Sequence, residues 1–153
     1  MEQLLVGVDV PGKPVGQGSV TLWRAPDGSE RAKHPPATVE HRNLMVGLLR
    51  QAWCDQGPYL EPVSLHASFY MPRPMSHFGT GRNADQLKAS APSFPVVMGR
   101  NDLDRMVRLV GDALVIAGVL KDDAQIVRIM AWKLWHEGRG NGTTTVGVRG
   151  IRA

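Results

Sequence analysis

A chain of 153 residues has room for one domain, and with 42% hydrophobic and 21% charged residues it has the composition of an ordinary folded protein, not of a coiled coil, a collagen-like chain or a disordered one. Its longest apolar runs fall short of the ~18 to 20 residues of a membrane span, and the opening MEQLLVGVDV lacks the parts of a signal peptide, so a cytoplasmic protein with no membrane partner is expected. The single cysteine, Cys54, excludes an internal disulfide and a cysteine-built zinc site, while a net charge of +4 favours polyanionic partners without establishing them.

Leu4, Val6, Val8 and Val10 alternate with Gln3, Leu5, Gly7 and Asp9, a period of two that predicts a strand with one face on the core. PGKPVGQG at 11–18 breaks it, and SVTLW at 19–23 is read as a second strand, returning antiparallel or crossing the surface. Residues 24–37, RAPDGSERAKHPPA, are turn chemistry, after which Thr38 is placed to cap a helix carrying Leu44, Leu48, Leu49 and Ala52. Gly57 and Pro58 end that helix. Val63, Leu65, Ala67, Phe69 and Met71 then alternate with Ser64, His66, Ser68 and Tyr70 in the clearest strand pattern of the chain.

Residues 72–100 have no sustained periodicity and read as a long basic loop, mobile and facing substrate, with Arg73, Arg82, Lys88 and Arg100 against the single acid Asp85. A helix is expected from Asp102 to Leu120, with Asp102 as its N-cap. Asp104, Arg105, Arg108, Gly111 and Asp112 fall on one side of its first two turns, and Leu103, Met106, Leu109, Val110, Leu114 and Ala117 cover much of the rest. IVRIMAWKLW at 126–135 and TTTVGVRGI at 143–151, joined through GRGNG, read as the closing strands. The expectation is an α/β (α+β) domain over residues 1–153, a mixed sheet with two main helices packed on it, in the order β-β-α-β-loop-α-β-β.

Residues 102–123 hold five of the fourteen acids against three bases, leaving nine acids and fifteen bases elsewhere. Asp102 and Asp104 stand one residue apart at a loop-to-helix junction, where alternate side chains of extended backbone project to the same side. Asp122 and Asp123 follow the same helix and would add a third carboxylate if the next strand lies beside the helix start. Magnesium needs only two or three carboxylates when waters and a substrate phosphate complete its shell. Against this, Asp is common at helix N-termini and in polar turns, and Asp112 has the i, i+4 spacing for an ion pair with Arg108.

The whole string GRNDLDRMVRLVGDALVIAGVLKDDAQIV resembles the signature of the RusA family of Holliday-junction resolvases, endodeoxyribonucleases common in phages and prophages. The match runs through Asp102, Leu103 and Asp104, then Asp112, Ala113 and Leu114, Gly118, and Asp122, Asp123, Ala124, Gln125 and Ile126 without a gap. The resemblance implies that Asp102, Asp104 and Asp123 are catalytic and bind magnesium, with manganese able to substitute, and that Asp122 is an adjacent ligand candidate. It also implies a homodimer that cuts two strands of a four-way junction in recombination, repair or phage DNA processing. Arg105 replaces the family's usual Asn and Arg108 its functional Lys; a guanidinium holds a phosphate but does not readily trade a proton.

Arg108 is thus a catalytic candidate acting through charge, and Lys13, Arg73, Arg82, Lys88, Arg100 and Arg105 are candidate DNA contacts. The alternative is a non-catalytic DNA-binding protein that keeps the fold while Arg105 and Arg108 clamp phosphate. The five histidines show no paired ligand spacing, and the glycines of VGQGSV complete no nucleotide-binding fingerprint. Ile129, Trp132, Leu134 and Trp135 are read as material for a dimer interface.

Overall fold

The structure, a computed structural model, describes residues 2–18, 20–96 and 101–152. In chain order its elements are β1 (Glu2–Pro11), β2 (Thr21–Arg24), β3 (Glu30–Lys33), α1 (Pro36–Trp53), β4 (Val63–Met71), α2 (Leu103–Ile116), β5 (Ile126–Trp135) and β6 (Thr143–Ile151). Four strands form one sheet in the order β1-β6-β4-β5, and β2 and β3 pair as a separate hairpin. The pairs β1/β6 and β4/β6 are antiparallel and β4/β5 is parallel, so the mixed α+β sheet with two helices is confirmed.

Both helices cover the same face. Val63, Leu65, Ala67, Phe69 and Met71 of β4 are buried against Met45, Leu49 and Trp53 of α1 and Met106, Val110 and Leu114 of α2, with Val6, Val10, Val146 and Val148 extending the same cluster. Each such side chain, fully buried, stabilises the fold by about 1.5–3 kcal/mol before the entropy of ordering it is counted. The alternation in β4 is what divides the faces: its even residues Ser64, His66, Ser68 and Tyr70 stand on the side that neither helix covers.

A register shift between Leu4 and Val6 interrupts the alternation expected in β1. Val6 and Val10 are buried, but Leu4 lies on the uncovered face and is 55% exposed, because one extra residue in a strand sends the side chains beyond it to the opposite face. The SVTLW segment does not return along β1: Thr21–Arg24 pairs with Glu30–Lys33. The stretch read as turn throughout therefore contains a strand, its Asp27–Gly28 turn held by Asp27 accepting from Ser29 and pairing with Arg31 at 3.1 Å.

Helix α1 starts two residues before the expected cap, with Pro36 in its first turn, a position where the missing N–H costs nothing. Thr38 is inside the helix and buried, donating its hydroxyl to the Gly16 carbonyl at 3.3 Å. The face buried by α1 runs through Thr38, His41, Met45, Val46, Leu49 and Trp53, while Leu44 and Ala52 are exposed.

The segment after β4 is not structureless over its described part. It contains two single turns of 3-10 helix, a bridge between Phe78 and Leu87, and a buried Phe78 capped by the Arg139 guanidinium 5.4 Å from its ring. Gly142, in the turn before β6, has φ +87° and a Cβ there would meet the Tyr70 carbonyl at 2.5 Å, so only glycine fits.

Candidate active-site cleft

Helix α2 places the site. Its chain carries no proline and no glycine before Gly111, and it ends where Gly118 adopts φ +75° while the Val119 N–H returns to the Leu114 carbonyl at 3.0 Å, a left-handed C-terminal closure. The chain then doubles back, and a single 3-10 turn at Asp123–Gln125 leads into β5. The open edge between α2 and β5 is a cleft of about 720 Å³ lined by Asp104, Arg108, Gly111 and Asp123, with Leu65, Ile126, Ile129 and Ala131 as its apolar floor and wall.

The stripe Asp104, Val107, Arg108, Gly111 follows i, i+3, i+4, i+7 spacing, so all four face the cleft. Asp104 and Gly111 are seven residues apart, about 10 Å along the axis. A Cβ at Gly111 would lie 3.9 Å from the Asp123 Cβ, which sets Asp123 beside the third turn of α2, with Arg108 on the stripe between Asp104 and Gly111. Among the described residues Arg108 has no carboxylate within 4 Å, so its charge is unspent.

The two acid pairs are used differently. Asp102 occupies the N-cap position of α2 but its side chain caps nothing; its Oδ2 lies 3.8 Å from Arg105 Nε, and it opens on a hollow next to the cleft, with Leu103, Phe94 and Lys133. Asp122 is a true cap, accepting from the Ala124 N–H at 2.8 Å while Gln125 Oε1 accepts from the Asp122 N–H at 3.1 Å. The expected carboxylate set is therefore not gathered at one point. Asp104 and Asp123 share the cleft, Asp102 faces the adjoining hollow and Asp122 serves the backbone. Among the described residues no three or more His, Cys, Asp or Glu side chains converge on a common metal position.

Gln17, which the sequence pattern did not single out, ties the N-terminal segment to α2. Its Nε2 donates to Asp112 Oδ2 at 2.7 Å and its backbone N–H to the Arg105 carbonyl at 3.1 Å. Asp112 thus has Gln17 as its partner, not Arg108. The clue lay in a Gly-x-Gly segment able to approach a helix closely, but its target, 95 residues away, cannot be read from spacing.

The basic candidates separate as well. Lys13, Arg82 and Lys88 are exposed. Arg73 lies over the Trp135 ring at 5.1 Å and donates to the Pro92 carbonyl at 3.0 Å, and Arg105 faces Asp102. Arg100 lies outside the described residues. The four apolar residues read as one interface divide between faces: Ile129 lines the cleft and Trp135 the hollow beyond it, whereas Trp132 and Leu134, pairing with Ser68 and Tyr70, stand on the uncovered face.

A two-helix, mixed-sheet domain with carboxylates flanking an unpaired arginine in an open cleft has the groups of a phosphodiester-cleaving enzyme. The family model described as Endodeoxyribonuclease RusA matches residues 11–146, which include every residue of the cleft. The chain belongs to the RusA endodeoxyribonuclease family, and that membership implies a nuclease acting on DNA. No curated protein matches it. Among the described residues no helix is long and apolar enough to cross a membrane.

Proposed function

We propose that this protein is a magnesium-dependent, structure-selective endonuclease that resolves four-way DNA junctions by paired nicks. The observation that carries the reading is the cleft shared by Asp104, Arg108 and Asp123. Magnesium keeps most of its waters and is held by one or two carboxylates plus substrate phosphate, so Asp104 and Asp123 are the candidate ligands, singly or together, with Asp102 as a further one and manganese able to substitute for magnesium. When bound, the metal supplies Lewis-acid polarisation of the phosphate and lowers the pKa of water.

The residues of the chain supply the rest. Arg108 meets the negative charge that develops on the scissile phosphate, and the apolar wall of Leu65, Ile126 and Ile129 lowers the local dielectric so that this charge pairing counts for more than in water. Lys13, Arg82 and Lys88, exposed around the cleft-bearing body, are suited to phosphates farther along the DNA arms.

One cleft cuts one strand at a time, so paired nicks call for two subunits related by two-fold symmetry. The uncovered face of the sheet, with Trp132 46% and Met130 41% exposed on one edge strand and Leu4 55% exposed on the other, supports a homodimer. The test is incubation with a synthetic four-way junction, with magnesium and with chelator, followed by strand-resolved mapping. Symmetric nicks only with magnesium are expected; tight binding with no cutting in magnesium or manganese overturns the catalytic reading in favour of DNA binding alone.

A further inference from the structure

The cleft does not stop at Ala131. On the helix-covered side of β5 the residues Ile129, Ala131, Lys133 and Trp135 follow one another at every second position. Ile129 and Ala131 line the cleft, Lys133 lines the next hollow with Asp102 and Phe94, and Trp135 lines a third with Phe94, His77 and Pro74. Leu103 is common to the first two hollows and Phe94 to the last two, so the three form one groove along the edge strand. The two outer hollows measure about 360 Å³ each.

The far hollow has the chemistry of a flat heterocycle's pocket. His77 stands edge-on to Trp135 with centroids 5.2 Å apart, and Arg73 covers the Trp135 ring while tying the Pro92 carbonyl, which holds the loop against the strand. Phe94 is nonetheless 63% exposed, a large side chain with no aromatic or cationic partner among the described residues. His77 Nδ1 and Trp135 Nε1 are buried with no hydrogen-bond partner among the described residues, an uncommon state for buried polar atoms. Between this hollow and the cleft stands Lys133, with no carboxylate within 4 Å among the described residues. Aromatic walls, a cation on the connecting floor and direct continuity with the phosphate-cutting cleft favour a nucleic-acid strand over a peptide or a second copy of the chain.

We propose that the hollow between Trp135 and Phe94 binds one unstacked nucleobase of the strand being cut, with Lys133 meeting a backbone phosphate on the way. The inference rests on the nuclease reading and adds a base-binding subsite to it. From Ala131 to Trp135 the strand advances about 13 Å, and a stacked DNA strand rises ~3.4 Å per nucleotide, so the base lies within about four nucleotides of the scissile phosphate. The subsite would confer a local sequence or structure preference, since a base leaves its stack most easily beside a branch point.

The experiment is an abasic scan. Junctions carrying one abasic residue at successive positions on either side of the mapped cut are bound in chelator, and the dissociation constant is measured. For the wild-type protein one position within about four nucleotides should weaken binding roughly tenfold, the size of a single base–aromatic stack. In Phe94→Ala that penalty should vanish, intact and abasic DNA binding alike, and Phe94→Trp should restore it. The exposure of Phe94 keeps these variants folded. A protein that cuts DNA but gives a flat scan, or whose penalty persists in Phe94→Ala, overturns the subsite alone. A protein that neither binds nor cuts DNA overturns the nuclease reading, and the subsite with it.

Discussion

The acid pairs at the two ends of α2 share a composition and differ in what their backbones ask of them. At Asp122 the chain enters a short 3-10 turn whose first N–H groups have no other acceptor, and the carboxylate is drawn into a reciprocal cap with Gln125. At Asp102 the longer helix begins with the same extended geometry, yet the side chain makes no cap bond and remains available beside Arg105. Asp104 and Asp123, each the second acid of its pair, face the cleft. Local hydrogen bonding, not residue type or spacing, thus separates a structural carboxylate from one able to meet substrate.

The comparison breaks most visibly in cleavage. We expect Asp104→Asn or Asp123→Asn to reduce single-turnover cutting by at least about a hundredfold, with junction affinity and melting temperature little changed, since charge is lost without volume. Undiminished magnesium-dependent cutting by either variant would take that residue out of the site. Arg108→Ala should also lose most activity, on the order of a hundredfold, whereas Arg108→Lys should stay within about tenfold of wild type, because the role is charge and not proton transfer. Equal activity of the Ala and wild-type proteins would leave Arg108 a surface residue.

Stability separates the first members of the pairs. Asp122→Ala removes a real cap and should cost about 1 kcal/mol, a melting shift of roughly 2–4 °C, while Asp122→Asn, which can cap equally well, should cost a few tenths. Asp102→Asn should leave the melting temperature unchanged and act on cleavage instead. Calorimetry that found Asp102→Asn the more destabilising substitution would reverse the assignment.

The smallest effect concerns pH and sharpens these measurements. Burial holds the His41 imidazole below its usual range, so under acidic conditions the unfolded chain takes up a proton that the folded protein resists. Stability is full above about pH 6.5, the unfolded value, and falls as pH drops from there toward the lower folded value. Urea unfolding of His41→Phe should show a flatter profile across that window, and a slope equal to wild type would mean that His41 is not its source.

Much of this was legible in the chain. Strict alternation in β4 and the wheel of α2 placed much of the core and put Asp104, Arg108 and Gly111 on one stripe, because those patterns depend on neighbours only a few residues away. What escaped depended on distant partners. The shift at Leu4 is set by pairing with Arg149, the fate of the SVTLW segment by Glu30–Lys33 offering a nearer edge than β1, and the choice between Asp102 and Asp122 as a cap by a glutamine that also donates to the Tyr59 carbonyl at 2.8 Å. Gln17 reaching Asp112 belongs to the same class, whereas the separation of Trp132 from Trp135 follows from alternation within the strand already expected over 126–135.

The position of β6 has a consequence for how the protein comes into being. It follows every other strand of the sheet in the chain, yet it lies between β1 and β4 and is, among the described residues, the only partner of β1. Until residues 143–151 have left the ribosome, the first strand has nothing to pair with and the apolar faces of α1 and β4 have only part of their cover. Folding of the sheet must therefore wait for residues 143–151 and then close contacts of very long sequence separation, a topology that folds slowly. A nonsense codon or proteolytic nick a dozen residues before Ile151 would spare every residue of the cleft in sequence and still leave a chain that cannot build it.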